Sequence, residues 1–117
     1  SLPMPFWVLA DRDKLKQVVI NLVTNAFEAI APGESVHLRL QDNGSGQVCL
    51  QVHNGGDPIP PDVLPNLTKP FYTTKLGGNG LGLAIVKRIV EAHNGTLQIE
   101  STAATGTTFM VSLPIVR

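Results

Sequence analysis

The sequence predicts a two-layer α/β sandwich, in which about three helices pack against a mixed, mostly antiparallel sheet. Two segments repeat apolar residues at helical spacing, and two pairs of segments alternate apolar and polar residues as strands do. With 117 residues, of which 43% are hydrophobic, the chain can build one core but is too short for two. We therefore predict a single domain over residues 1–117.

The first predicted elements are a short strand over residues 6–9 and a long helix over residues 13–31. Asp11 precedes the helix, where its carboxylate can accept a hydrogen bond from the first turn. Pro32 and Gly33 end the helix. Its apolar positions recur three and four residues apart, which predicts one buried face. They are Leu15, Val18, Val19, Leu22, Val23, Ala26, Phe27 and Ile30.

Two hairpins account for the predicted sheet. Residues 36–40 and 48–52 alternate, and the polar, glycine-containing segment 42–46 between them supplies a turn. Residues 96–100 and 107–113 form the second pair of strands after a second helix that begins near Gly82. Hairpin partners run antiparallel, so most of the sheet is expected to be antiparallel.

Composition excludes several classes of function. Nine basic residues balance nine acidic ones, so no overall field favours nucleic acid or an anionic membrane. The single cysteine, Cys49, lies in an alternating run, and burial is its expected role. No apolar run approaches the roughly 18 residues of a membrane span, and the opening residues do not resemble a signal peptide. We expect a cytoplasmic protein or the cytoplasmic piece of a larger one.

Alternate glycines at Gly78, Gly80 and Gly82 stand directly before the second helix. They leave backbone N–H groups uncovered where the positive end of a helix dipole begins, which suits a phosphate group. The alternative is a glycine-rich turn ahead of an ordinary core helix, because Leu83 and Val86 begin an apolar helical stripe. The motif alone leaves both interpretations open.

Asn21, Asn25 and Glu28 lie within one narrow stripe of the long helix. A polar stripe is commonly a solvated face, and that alternative stays open for Glu28. Two asparagines one turn apart are less common on a surface helix, because asparagine is a middling helix former. Their neutral amide oxygens suit a magnesium ion that already carries phosphates.

The segment from residue 54 to residue 82 is rich in glycine, proline and polar residues. A connection this long is typical of a binding loop, and residues 64–80 are predicted to form a lid over a site. Asn54 follows a strand end, where glycines allow a flat ring to approach the backbone. Taken singly, the glycine-rich stretch could be a plain turn, and Lys75 a solvated surface lysine.

In order and spacing, four motifs together resemble the catalytic and ATP-binding domain of bacterial two-component sensor histidine kinases, within the superfamily of gyrase-type and chaperone-type ATPases. The resemblance covers nearly the whole chain and is closest to the nitrogen-regulatory subgroup. It implies a Bergerat-type ATP-binding fold with ATP and Mg²⁺ as cofactors. The motifs are QVVINLVTNAFEAI, NGGDPIP, LTKPFYTTK and GNGLGLAIVKRIVEAHNG.

This resemblance assigns roles to individual residues. Asn25 is the implied magnesium ligand, and Asn21 and Lys75 act with it in catalysis. Asn54 stands where the family usually has an aspartate that binds the adenine amino group. Thr107 supports adenine through water. The implied nucleotide contacts are Asn25, Asn54, Gly56, Ile59, Thr74, Lys75, Gly78, Gly80, Leu81, Gly82, Leu83 and Thr107.

Two departures from the family pattern lie in the second motif. Asn54 replaces the aspartate, and Pro58 replaces a glycine and removes a backbone N–H. An amide that turns freely presents either its oxygen or its NH₂ group, so nucleotide selectivity is open and GTP is expected to compete with ATP.

The implied activity is transfer of the γ-phosphoryl group of Mg-ATP to a histidine on a separate dimerisation domain, with a response regulator downstream. His37 and His53 fall in predicted strands and His93 at a helix end, so the acceptor is expected outside this chain. The chain is therefore expected to be an excised, monomeric domain, cytoplasmic even where the whole sensor is membrane-bound.

Two alternatives to a kinase remain. The first is a stand-alone ATPase of the same superfamily. Asn21 argues against it because it stands where hydrolytic members have a glutamate general base, and an amide cannot take a proton. The second is a nonenzymatic, nucleotide-gated interaction domain, in which Val63, Leu64 and Leu67 are exposed and contact a partner.

Overall fold

The computed structural model describes residues 7–42, 44–56, 58–70 and 82–116. The helices and strands follow one another along the chain in a simple order. They are α1 (Arg12–Ala29), β1 (Val36–Asp42), β2 (Gln47–Asn54), a short 3₁₀ helix (Leu64–Asn66), α2 (Gly82–Ala92), β3 (Thr96–Thr102) and β4 (Gly106–Pro114). The long helix and both hairpins are thus confirmed, with bounds within two residues of those predicted.

The four strands form one sheet in the order β1-β2-β4-β3. Every pairing among these described strands is antiparallel, so the parallel component expected of a mixed sheet is not seen in them. Of the strand predicted over residues 6–9, Trp7 makes a single antiparallel bridge with Val116. About three helices were expected, and the described part of the chain contains two α-helices and one short 3₁₀ helix.

Both α-helices pack on the same face of the sheet, α1 chiefly against β2 and α2 chiefly against β3. Asp11 caps α1 as predicted, because its Oδ1 accepts a hydrogen bond of 3.1 Å from the Lys14 amide. Among the helices that the structure describes, none has the length and apolar character needed to cross a bilayer.

The core lies between the helices and the alternate, inward-facing residues of β2 and β4. Cys49 is also buried, as predicted, and forms no disulfide. The core residues are Val18, Leu22, Ala26, Val48, Val52, Val86, Ile89, Val90, Phe109, Val111 and Leu113. The fold is therefore a two-layer α/β sandwich, which confirms the predicted class.

Replacing Phe109 by alanine tests this core. The ring is 1% exposed, so we expect Phe109→Ala to lower the free energy of unfolding by about 3–5 kcal/mol, measured by urea denaturation. Ile20→Ala is the control, because Ile20 is 62% exposed, and it should change stability by less than about 1 kcal/mol. Equal effects of the two substitutions would contradict the assigned core.

Candidate functional site

At one end of the sheet, the inward-facing row changes from apolar to polar. Asn54 at the end of β2 pairs with Thr107 of β4, and Thr107 pairs with Ser101 of β3. Asn54 and Thr107 are the two buried polar residues in the described part of the chain, at 1% and 3% exposure. Buried polar groups require partners, so this row is the candidate site.

In the side-chain amide of Asn54, the nitrogen has a hydrogen-bond partner and the oxygen has none among the described residues. Its Nδ2 donates a hydrogen bond of 2.6 Å to the carbonyl of Gly55, whereas its buried Oδ1 has no hydrogen-bond partner among the described residues. Turning the amide over would place two acceptor oxygens against each other. The structure therefore favours one orientation, in contrast to the free rotation expected from the sequence, and leaves an acceptor for an incoming donor.

Two hydroxyl groups connect this row to the loop that follows β2. Ser101 Oγ lies 2.7 Å from Thr107 Oγ1, and the same oxygen accepts a hydrogen bond of 2.8 Å from the Ile59 amide. Ile59 is half-buried. The structure thus brings together Asn54, Ile59 and Thr107, which the sequence analysis placed at one binding site.

Two glycines allow the backbone to close around these residues. Gly56 has φ +91°, and a Cβ there would lie 2.8 Å from the carbonyl oxygen of Ala29 at the end of α1. Gly106 has φ +80°, and a Cβ there would overlap the carbonyl oxygen of Asn54. Any larger residue would force the backbone apart at either position.

A second group of predicted residues lies where α1 meets the start of α2. Asn21 is half-buried, and its Nδ2 lies 3.3 Å from the carbonyl oxygen of Gly82, the first residue of α2. Asn25 is also half-buried and makes contacts of its own. A Cβ on Gly82 would meet no atom of the described residues within 4 Å, so those residues leave this helix start sterically open. Leu83 packs against the core.

Helix α1 links the two groups, because Asn21 lies at the α2 start and Ala29 at the Gly56 turn. At 1.5 Å per residue, these two positions are about 12 Å apart along the helix axis. Asn25 lies halfway between them. An extended nucleoside triphosphate has a comparable length, with its base at one end and its phosphates at the other.

Several predicted residues lie outside the described part of the chain. They are Thr74, Lys75, Gly78, Gly80 and Leu81. Of the predicted lid over residues 64–80, only residues 64–70 are described. Val63, Leu64 and Leu67 are half-buried, which differs from the exposed cluster that the interaction-domain alternative requires.

Sequence reasoning missed Ser101. The signal was available, because Leu97, Ile99 and Ser101 alternate along β3 and therefore share the core-facing side of the strand. A polar residue at a strand position where the alternation predicts an apolar, core-facing side chain indicates a buried hydrogen bond. The strand predicted over residues 96–100 ends one residue before Ser101.

Comparison with known proteins agrees with this geometry. Residues 10–117 match the sequence profile of a family described as histidine kinase-, DNA gyrase B- and HSP90-like ATPase. The chain is similar to the sensor histidine kinase ZraS of Escherichia coli strain K12, with 41% identity over 108 residues, which cover 92% of this chain and 23% of ZraS. It thus spans about a quarter of the curated relatives that it matches first.

Solved structures show the same likeness. The mycobacterial sensor histidine kinase MprB superposes with a TM-score of 0.85 and 32% identity, covering 95% of this chain and 76% of that one. Full-length ShkA, solved in complex with AMPPNP, superposes with a TM-score of 0.81 and 29% identity, covering 93% of this chain and 23% of that one.

Substituting glycines that share a positive φ tests the closure of the site. Gly33→Ala should cost about 1–2 kcal/mol of stability from backbone strain alone, since a Cβ there would meet no atom of the described residues within 4 Å. Gly106→Ala should cost at least about 1 kcal/mol more, because the new Cβ also overlaps the Asn54 carbonyl. Urea denaturation measures both variants. Equal losses would show that the hairpin does not close on Asn54 as described.

Proposed function

The chain belongs to the histidine kinase-, DNA gyrase B- and HSP90-like ATPase family, and from this premise we propose that it is the catalytic domain of a sensor histidine kinase. In this proposal the domain binds Mg-ATP and transfers the γ-phosphoryl group to a histidine on a separate dimerisation domain. The family predicted from the four motifs is confirmed, whereas the nitrogen-regulatory subgroup stays a prediction.

The observation that carries the proposal is the buried, unpartnered Oδ1 of Asn54. Leaving such an acceptor without a donor costs about 1–3 kcal/mol, and the exocyclic amino group of adenine is a donor that would relieve this cost. Gly56 and Ile59 would then line the base, and the Thr107 hydroxyl would support it. Full-length ShkA was solved in complex with AMPPNP, which supports an adenine nucleotide as the ligand of this chain.

At the other end of α1, the residues fit a magnesium triphosphate. The amide oxygen of Asn25 would be a neutral ligand for the metal, while Asn21 and the open start of α2 at Gly82 would lie beside the phosphates. Bound Mg²⁺ would neutralise charge on the phosphates. Thr74, Lys75, Gly78, Gly80 and Leu81 stay proposed contacts on the basis of their motifs, and Leu83 would pack behind them.

The three histidines of the chain are poor candidates for the phosphoryl acceptor. His93 uses both ring nitrogens, since Nδ1 donates to the Ile89 carbonyl at 2.7 Å and Nε2 accepts from the Asp11 amide at 3.0 Å. His37 of β1 pairs with His53 of β2. His53 follows the core-facing Val52 in the strand, and neighbouring side chains of a strand point to opposite faces. Both histidines therefore lie on the face of the sheet away from the candidate site. We infer that the acceptor belongs to a partner domain, from which a response regulator receives the phosphoryl group.

The same site argues against the ATPase alternative. The Nδ2 of Asn21 donates a hydrogen bond to the Gly82 carbonyl at the start of α2, and its amide cannot accept a proton from water at neutral pH. A histidine nucleophile needs no such base, because the neutral imidazole already carries a lone pair. Catalysis would then depend on positioning and on charge stabilisation.

Base selectivity tests the role of Asn54. Because the Oδ1 of Asn54 is an unpartnered acceptor, ATP should bind at least about tenfold more tightly than GTP, whose O6 would meet an acceptor. Purine riboside triphosphate, which lacks the amino group, should be weakened similarly. In Asn54→Leu these differences should disappear, as measured by calorimetry with all three nucleotides. Equal binding of ATP and GTP to the unmodified chain would contradict the assigned orientation.

Phosphoryl transfer tests the proposed activity. Radiolabelled ATP is incubated with this chain alone, with the matching dimerisation domain, and with that domain after its helical histidine is changed to glutamine. We expect acid-labile, base-stable label on the intact partner only, since the chain lacks an acceptor but provides the nucleotide site. Rapid phosphate release by the chain alone would instead favour a stand-alone ATPase.

A further inference from the structure

Ser101 occupies a place in the fold that links three elements. It lies on β3 opposite Thr107 of β4, and it is half-buried on the side of the sheet that carries the core. Its Oγ is shared between the Thr107 hydroxyl at 2.7 Å and the Ile59 amide at 2.8 Å. One oxygen thus joins the edge strand, the neighbouring strand and the loop after β2.

The bond to Ile59 matters because of the prolines around it. In the segment 58–61, Pro58, Pro60 and Pro61 have no backbone N–H, so Ile59 carries the single amide donor. That donor is given to Ser101. The Ile59 amide is therefore the one backbone donor through which residues 58–61 can form a hydrogen bond to the sheet.

The bond to Thr107 engages a buried hydroxyl of the candidate site. Each hydroxyl has one hydrogen, so within this pair either Ser101 donates to Thr107 or Thr107 donates to Ser101. In the arrangement in which Ser101 donates to Thr107, the hydrogen of Thr107 is available to a ligand or a water. Thr107 in turn pairs with Asn54, whose free oxygen is the proposed adenine acceptor.

We propose that Ser101 is a positioning residue for the adenine end of the nucleotide site: it holds Ile59 against the base and orients the hydroxyl of Thr107. This inference rests on the proposed function, because it assigns a role at the same site. Ser101 itself does not contact the reacting atoms. Its effect passes through Ile59 and Thr107.

Three variants and two measurements test this role. Ser101→Ala removes the shared oxygen, Ser101→Thr keeps a hydroxyl, and Ser112→Ala is the matched control, because Ser112 is a half-buried serine of β4 that pairs with Thr96 on the opposite side of the sheet. Calorimetry gives the ATP affinity of each variant. Amide hydrogen exchange, followed by NMR, gives the protection of the Ile59 amide and of Leu22 in α1.

In Ser101→Ala, we expect ATP affinity to fall about tenfold and the Ile59 amide to exchange faster, while Leu22 keeps its protection. Ser101→Thr should restore both properties, and Ser112→Ala should match the unmodified chain. Unchanged ATP affinity or unchanged Ile59 exchange in Ser101→Ala would overturn the inference. So would loss of protection at both Ile59 and Leu22, since that result indicates general destabilisation.

The same series distinguishes a failure of the proposed function from a failure of the role of Ser101. If the unmodified chain binds no ATP, the proposed function fails and this inference fails with it. If the unmodified chain binds ATP and Ser101→Ala binds it equally well, the proposed function stands and only the role of Ser101 is overturned.

Discussion

The register of β2, β4 and β3 is the constraint on which the candidate site depends. Antiparallel pairing aligns Asn54, Thr107 and Ser101 in one row, and the alternation of side chains points that row toward the helices. Farther along the same face, the inward positions are apolar and form the core. A shift of one residue between β2 and β4 would turn Asn54 to the opposite face and would expose Val52 as well. The hydrophobic core therefore fixes the register, and the register positions the polar row.

Helix α1 extends this arrangement into a site of defined length. Its buried stripe, which includes Val18, Leu22 and Ala26, fixes how the helix is rotated on the sheet. That rotation leaves Asn21 on the flank toward α2, where its Nδ2 donates to the Gly82 carbonyl, and Asn25 lies one turn farther along the same stripe of α1. One set of packing contacts thus determines both the core and the separation between the proposed adenine and phosphate ends.

Much of this could be predicted from the sequence, because the apolar periodicities are strong. The capped helix, both hairpins and the burial of Cys49 follow from local patterns and were confirmed. Two features required three-dimensional information. The orientation of the Asn54 amide depends on the neighbouring Gly55 carbonyl, and composition does not fix that contact. The Ser101 hydroxyl acts on Ile59, which is 42 residues away in the chain.

A chemical-shift titration with nucleotide would show whether the polar row and the start of α2 form one binding site. In a ¹H–¹⁵N correlation spectrum titrated with Mg-ATP, the amides of Asn54, Gly56 and Gly82 should shift together, since they lie at the two ends of the proposed site. Arg39 and Gln51, which pair on the opposite face of the sheet, should stay unchanged. Shifts confined to that opposite face, or no shifts at saturating nucleotide, would contradict a nucleotide site between the polar row and the start of α2.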